Sequence, residues 1–249
     1  MNDARKRLDV FLVDAGFCDT RAKASAAIKA GHVCVDGRVA TRPAQMVLES
    51  SDIKFEGPAS PYVSRGGLKL AHALNAFGLS PDNKIIIDIG ASTGGFCDVL
   101  LQNGASQIYA VDVGHGQLHP SLVADDRIVN LEGVNARYLS REHIPLNAGA
   151  LVCDASFISL RLVVEPALAF LTAPAWVILL IKPQFEVGKK GLGKKGVVSD
   201  PALQAQTCDA FAQWFSAVAP NWTQLGICES PITGPQGNRE FLFAAHLPG

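Results

Sequence analysis

The residues most able to do chemistry fall where strands should end. The first group is Lys84 to Phe96, KIIIDIGASTGGF, in which Ile85, Ile86, Ile87 and Asp88 lead into a run of small residues from Gly90 to Gly95. A buried parallel strand entering a glycine-rich turn and then a helix fits this pattern. Glycine lets backbone N–H groups approach a small ligand closely, because no side chain holds the ligand off. The spacing G-x-x-x-G-G departs from the dinucleotide fingerprint G-x-G-x-x-G, which argues against a nicotinamide or flavin cofactor. The next strand, SQIYAVDVG from Ser106 to Gly114, carries Asp112 22 residues beyond Gly90. An acid about 20 residues past the glycine turn, at the tip of the next strand, is where a doubly wound sheet binds a ribose diol. A solvated acid that merely closes a strand is the alternative.

Two more strand ends carry charge. LVCD ends in Asp154, and WVILLI ends in Lys182 followed by Pro183-Gln184-Phe185-Glu186. An unpaired ammonium is costly to bury at the end of an apolar strand, so Lys182 either pairs with an acid such as Asp154 or serves in a pocket. A partly desolvated lysine can orient or deprotonate a poor nucleophile such as a ribose hydroxyl, and the sequence leaves base and orienting group both open. Lys69, in YVSRGGLKLAHALNAFGL, reads alone as a surface residue on the first turn of a helix starting near Gly67, with Leu68, Ala71, His72 and Leu74 buried. Glu240, in GPQGNREFLFAAHL, reads alone as a strand-edge carboxylate.

The elements that must position these groups alternate. Strand and helix candidates run over 84–90, 95–103, 107–112, 128–132, 149–154, 159–172, 175–182 and 201–218, with two last strands near 222–229 and 240–246. This order predicts an α/β fold, a doubly wound, mainly parallel sheet with helices on both faces. Ligands bind such sheets at the carboxyl ends of the strands, where Gly90, Asp112, Asp154 and Lys182 all fall.

The chain before this sheet is built differently. Leu8, Phe11, Leu12 and Ala15 fall at helical spacing before Gly16, a second helix runs from Thr20 to Ala30, and HVCVDGRVAT forms a hairpin about Asp36-Gly37. The result is a small α+β module, with eight basic side chains against five acidic ones through residue 42. EGPASP, Glu56 to Pro61, is a linker composition. The expected division is 1–57, a linker at 58–63, and 64–249.

Composition excludes several classes. At 249 residues, 48% hydrophobic and 18% charged, the chain is globular, not disordered. A formal net charge of −1 gives no global attraction to nucleic acid, so an RNA surface must come from local patches. The six cysteines lack C-x-x-C spacing, which fits reduced thiols in the cytoplasm and no metal. No secretory signal opens the chain, and Leu160 to Ile181 is broken by Arg161, Glu165, Pro166 and Pro174, which argues against a membrane span. The N/D-P-P-Y/F motif of exocyclic-amine methylation and the Pro-Cys of pyrimidine-ring methylation are both missing. G-x-x-x-x-G-K occurs at Gly188 to Lys194, but Lys195 replaces the required Ser or Thr, so the P-loop reading fails. Lys189, Lys190, Lys194 and Lys195 form either a loop that closes over RNA phosphates or a plain solvent loop.

DIGASTGGF resembles the first motif of S-adenosylmethionine-dependent methyltransferases. SRGGLKL, DIGASTGGF, DASFISL, KPQFE and GNREF, in this order, resemble the TlyA (haemolysin A) family of rRNA ribose 2′-O-methyltransferases. Lys69, Asp154, Lys182 and Glu240 resemble the K-D-K-E tetrad of FtsJ-like enzymes, and residues 7 to 47 resemble the S-four-type RNA-binding domain. The resemblance implies a Rossmann-like class I methyltransferase that uses S-adenosylmethionine. Lys182 would activate the 2′-hydroxyl, with Asp154, Lys69 and Glu240 holding the ribose and tuning that lysine. Asp88, Gly90, Ser92, Gly94, Asp112, Asn135 and Asp154 would contact the methyl donor. Arg5, Arg21, Lys23, Lys29, Arg38 and Arg65, with the four lysines of 189–195, would face RNA. The implied partner is ribosomal RNA or a ribosomal subunit, with no membrane and no metal, and the acceptor a cytidine of large-subunit RNA or, in some members, small-subunit RNA. Compactness at both ends leans toward the large subunit, and the oligomeric state stays open. The rival readings are a membrane-active cytolysin, as the older family name suggests, and an RNA-binding assembly factor with a vestigial donor pocket.

Overall fold

A computed structural model describes residues 5–15, 17–18, 20–48, 50–55, 61–188, 191–193, 196–234 and 237–249. The chain divides into two compact units, Met1–Pro61 and Tyr62–Gly249.

In the first unit, β1 (Arg5–Arg7) leads into α1 (Leu8–Asp14) and α2 (Arg21–Lys29), the latter capped by Thr20, whose hydroxyl accepts from the Lys23 N–H. β2 (Val33–Val35) and β3 (Arg38–Val39) follow, then β4 (Met46–Leu48) and β5 (Ile53–Phe55). Asp36 and Gly37 both take positive φ, 49° and 76°, the two-residue turn that suits a tight hairpin. Leu8, Leu12, Ala24, Ile28, Val33, Val35, Ala40 and Val47 form the core. The sequence reading lacks β1, β4 and β5. Arg5-Lys6-Arg7 has no apolar alternation and becomes a strand only by pairing with Met46–Leu48 far along the chain.

The second unit opens with α3 (Gly66–Phe77), then β6 (Ile85–Ile89), α4 (Gly95–Gln102), β7 (Gln107–Asp112), α5 (Pro120–Val123) and β8 (Ile128–Glu132). It continues through β9 (Ala148–Cys153), α6 (Arg161–Leu168), β10 (Leu171–Ile181), α7 (Pro183–Glu186), α8 (Pro201–Val218), β11 (Thr223–Glu229) and β12 (Phe241–Leu247). The seven strands order as β11-β12-β10-β9-β6-β7-β8. β12 runs antiparallel to both neighbours, and the other pairs are parallel.

Both faces are covered. Ile87, Ile89, Leu151, Cys153, Val177, Leu179 and Phe243 face α6 and α8, whose Val163, Val164, Phe211 and Phe215 complete that layer. Ile86, Val152, Ile178, Leu180 and Leu242 face α3 and α4, with Leu70, Ala73, Leu74, Phe96 and Leu100. This is the period-two alternation of strands buried on both sides, which reads in sequence as an unbroken apolar run.

The buried stripe of α3 differs from the expected one. Lys69, Leu70, Ala73 and Leu74 are buried, whereas Leu68 and Ala71 are half-buried and His72 is exposed. Hydropathy puts a lysine on the solvent side, but this one turns inward because a carboxylate waits there.

Candidate active site

The carboxyl edge of the parallel strands gathers the charged groups. β6 ends at Ile89, whose carbonyl accepts from the Asp154 N–H at 2.9 Å, so the chain leaving β9 crosses directly over the glycine turn. At Gly90, where φ is +79°, an added Cβ would lie 3.0 Å from the Asp154 carbonyl and the Ala155 nitrogen. Only glycine suits that close approach. Ser92 follows in the left-handed region at φ 48°, and Gly94 at 92° opens α4.

Asp112, at the tip of β7, is half-buried and fastened to this turn. Its Oδ2 accepts from the Ser92 N–H at 2.8 Å and its Oδ1 from the Gly114 N–H at 2.7 Å. Asn135 uses its Oδ1 to cap the short 3-10 turn Ala136–Tyr138, accepting from the Arg137 N–H at 3.1 Å.

Asp88 points into the fold. The pleat places it on the same face as Ile86, under α4, where it is fully buried and its Oδ2 accepts from the Cys97 thiol at 3.0 Å. Burial pushes its carboxyl up to about 7, against the thiol bond that favours the charged form. Its Oδ2 is engaged by Cys97, and its Oδ1 is buried with no hydrogen-bond partner among the described residues.

Four charged side chains converge from four elements. The antiparallel register pairs Ile181 with Phe241, so Lys182 and Glu240, the next residues outward, emerge at one end of the sheet. Asp154 leaves β9 beside them, and Lys69 reaches in from the first turn of α3. Lys182 Nζ lies 2.5 Å from Asp154 Oδ1, and Lys69 Nζ lies 3.5 Å from Asp154 Oδ2 and 2.7 Å from Glu240 Oε2. Asp154 therefore serves both lysines, one on each oxygen. Lys69, Lys182 and Glu240 are buried, at 8%, 6% and 1% exposure. Two cations facing two anions offset the desolvation that would forbid any one of them alone. Lys182 also donates to the Asp154 carbonyl at 3.2 Å and to Ser156 Oγ at 2.6 Å. Behind Asp154, burial pushes the Cys153 thiol up to about 12, which removes it as a nucleophile at neutral pH.

A buried cluster of two lysines and two carboxylates thus stands beside the glycine turn, on the sheet edge that also carries Asp112. The model of the FtsJ-like methyltransferases matches residues 62–247, and that of the S4 domain matches residues 6–53. The chain belongs to the FtsJ-like methyltransferase family. It is 43% identical to YqxC of Bacillus subtilis over 250 residues, covering 100% of this chain and 88% of that one. It is 42% identical to the 16S/23S rRNA (cytidine-2′-O)-methyltransferase TlyA of Mycobacterium tuberculosis over 96% of this chain and 88% of that one, which places it with the TlyA group. A solved Streptococcus thermophilus protein described as a haemolysin superposes with a TM-score of 0.80 at 36% identity, over 99% of this chain and 90% of that one.

Around the FtsJ-like site stand residues that the sequence reading passed over. Glu186 ties two loops together: its carboxylate accepts from the Ser159 hydroxyl at 2.8 Å and from the Leu160 N–H at 2.7 Å. Phe157 is 91% exposed with φ 64°, its ring 5.2 Å from that of Phe185. Both rings come three residues after a charged strand end, Asp154 or Lys182, and that shared spacing is the signal that could have revealed them. Gly234 backs onto Glu240, where any Cβ would collide with the Glu240 carboxylate.

Of the expected RNA contacts, Arg5, Arg21, Lys23, Lys29 and Arg38 are exposed on the S4 unit, and Arg65 is exposed at the start of α3. Arg21 also binds Asp9 at 3.1 Å beside Arg7, and chiefly the Arg7 guanidinium holds the buried Asp9 carboxyl well below the usual carboxylate range. Lys189, Lys190, Lys194 and Lys195 lie outside the described residues. Among the described residues no helix is long and apolar enough to cross a membrane, and no cluster of His, Cys, Asp or Glu side chains could hold a metal ion.

Proposed function

We propose that this protein transfers a methyl group from S-adenosylmethionine to the ribose 2′-hydroxyl of a cytidine in ribosomal RNA, in the cytoplasm. Large-subunit RNA is the first acceptor to test and small-subunit RNA the second. The observation that carries the reading is the convergence of Lys69, Asp154, Lys182 and Glu240 beside the Gly90 turn. The TlyA relative named for cytidine 2′-O-methylation supports the choice of acceptor.

The chain is suited to hold the donor, which when bound supplies an electrophilic methyl group on a sulfonium. The turn at Gly90, Ser92 and Gly94 offers backbone groups at close range. Asp112, with one N–H on each oxygen, keeps spare lone pairs for a ribose diol. Asn135, which caps the 3-10 turn after β8, and Asp154, just past β9, are the side chains we assign to the adenine and the amine. Lys182, its ammonium facing three acceptors, is placed as a donor that orients the 2′-oxygen, while Asp154, Lys69 and Glu240 fix its position. Alignment of oxygen with methyl is the main demand of an in-line displacement. The exposed ring of Phe157 offers a stacking surface for the base beside the reacting ribose. The basic face of the S4 unit would grip phosphates, which positions RNA without reading its sequence.

The test is a map of ribose methylation in cells lacking the protein. The expected result is loss of one 2′-O-methylcytidine, restored by the wild type but not by Lys182→Ala at equal protein level. A mark restored by Lys182→Ala would refute the assignment.

A further inference from the structure

Two of the three N–H donors of Lys182 are hydrogen-bonded, to the Asp154 carbonyl at 3.2 Å and Ser156 Oγ at 2.6 Å, and Asp154 Oδ1 lies 2.5 Å from the same ammonium as its ion-pair partner. Three oxygens thus crowd the ammonium within 3.2 Å. A ribose hydroxyl that Lys182 is to orient must take over one of the three.

The three are unequal. Giving up Asp154 Oδ1 separates an ion pair whose lysine is 6% exposed, and giving up the carbonyl strands a backbone acceptor behind the site. Ser156 is neutral and exposed, so its hydroxyl, once released, finds water at little net cost. It is also the same chemical group as the substrate, an alcohol oxygen accepting from the lysine. Its loop is braced, since Glu186 holds Ser159 and Leu160, so the hydroxyl is held in place and not met by chance.

We propose that Ser156 is a place-holder for the ribose 2′-hydroxyl: it occupies one donor of Lys182 until RNA arrives, then cedes it. This rests on the reading that Lys182 acts on a ribose hydroxyl. Ser156 is then a positioning residue that competes with the substrate, and the sign of its substitution reveals the competition. Removing the hydroxyl should favour RNA, whereas a carboxylate at the same place would hold the ammonium against any alcohol.

The experiment measures tritiated methyl transfer from S-adenosylmethionine by the full-length protein into ribosomal subunits from cells lacking it. Wild type is compared with Ser156→Ala, Ser156→Asp and Ser156→Thr, and donor binding by calorimetry checks folding. In Ser156→Ala, kcat/KM for the subunit should rise about 2- to 10-fold through a lower KM, the worth of one hydrogen bond net of the water that replaces it. In Ser156→Asp it should fall by roughly tenfold or more, and Ser156→Thr should track the wild type. An unchanged or lower kcat/KM in Ser156→Ala overturns the proposal, since a residue needed in the reacting complex, or a merely structural one, loses activity in both variants. A wild type that transfers nothing to either subunit overturns the reading of the site and this inference with it.

Discussion

Lys69 and Glu240 should behave as one unit, and a double-mutant cycle can show it. Their charged atoms lie 2.7 Å apart, with side-chain exposures of 10% and 0%. An exposed pair in that geometry would contribute about 0–1 kcal/mol. Breaking a buried one by removing a single partner costs about 3–5 kcal/mol, because the other charge is left uncompensated. The two ends are not equivalent. Lys69→Met leaves Glu240 without its only ion-pair partner among the described residues, which argues for the top of that range. Glu240→Met leaves Lys69 with Asp154 at 3.5 Å, which argues for the bottom. Methionine at both positions removes both charges and keeps two unbranched side chains, so the double variant should return to within about 2 kcal/mol of the wild type. Urea unfolding followed by tryptophan fluorescence is the assay, since Trp176, Trp214 and Trp222 all lie in the second unit. Under the proposed function, the double variant should stay inactive despite its recovered stability. Losses that simply add would refute the pairing.

Two further predictions rest on single contacts. The Asp88 carboxyl is pushed up to about 7 by burial, from an ordinary 3.8, so the folded state holds this proton more tightly than the unfolded chain. Its stabilising contribution is full below about pH 4 and fades as pH rises through 7. Asp88→Asn should therefore gain on the wild type by roughly 1–4 kcal/mol between pH 4 and pH 8 in the same urea assay, and parallel pH curves would contradict this. Gly234→Ala drives a methyl group into the Glu240 carboxylate, so it should cost about 1–3 kcal/mol and most methyl transfer; a variant with wild-type midpoint and rate would show that Glu240 is not fixed there.

Much of the methyltransferase unit was legible because its signals are local. Ile85–Ile87, Tyr109–Val111, Leu151–Cys153 and Trp176–Ile181 are unbroken apolar runs that only a sheet buried on both faces explains, and each occupies a strand. The turn after Ile89 and the acid at Asp112 announced themselves by glycine content and spacing. The small α5, from Pro120 to Val123, and the strands β1, β4 and β5 lacked such marks, being short or held by distant partners.

The site resisted reading for a different reason. Lys69 looks like a surface lysine and Glu240 like a strand-edge acid, and each description is right for a residue taken alone. Burial becomes tolerable only when α3 brings the ammonium to the carboxylate that precedes β12, 171 positions later. Asp88 differs from both, since its place in a motif suggests a ligand contact while strand alternation turns its Oδ2 toward Cys97. Each charge in the cluster is thus bearable only because the others are present. Loss of Lys69 strands Glu240 and loss of Asp154 strands Lys182, so a site lacking either shared partner is penalised by the fold itself, before any substrate is bound.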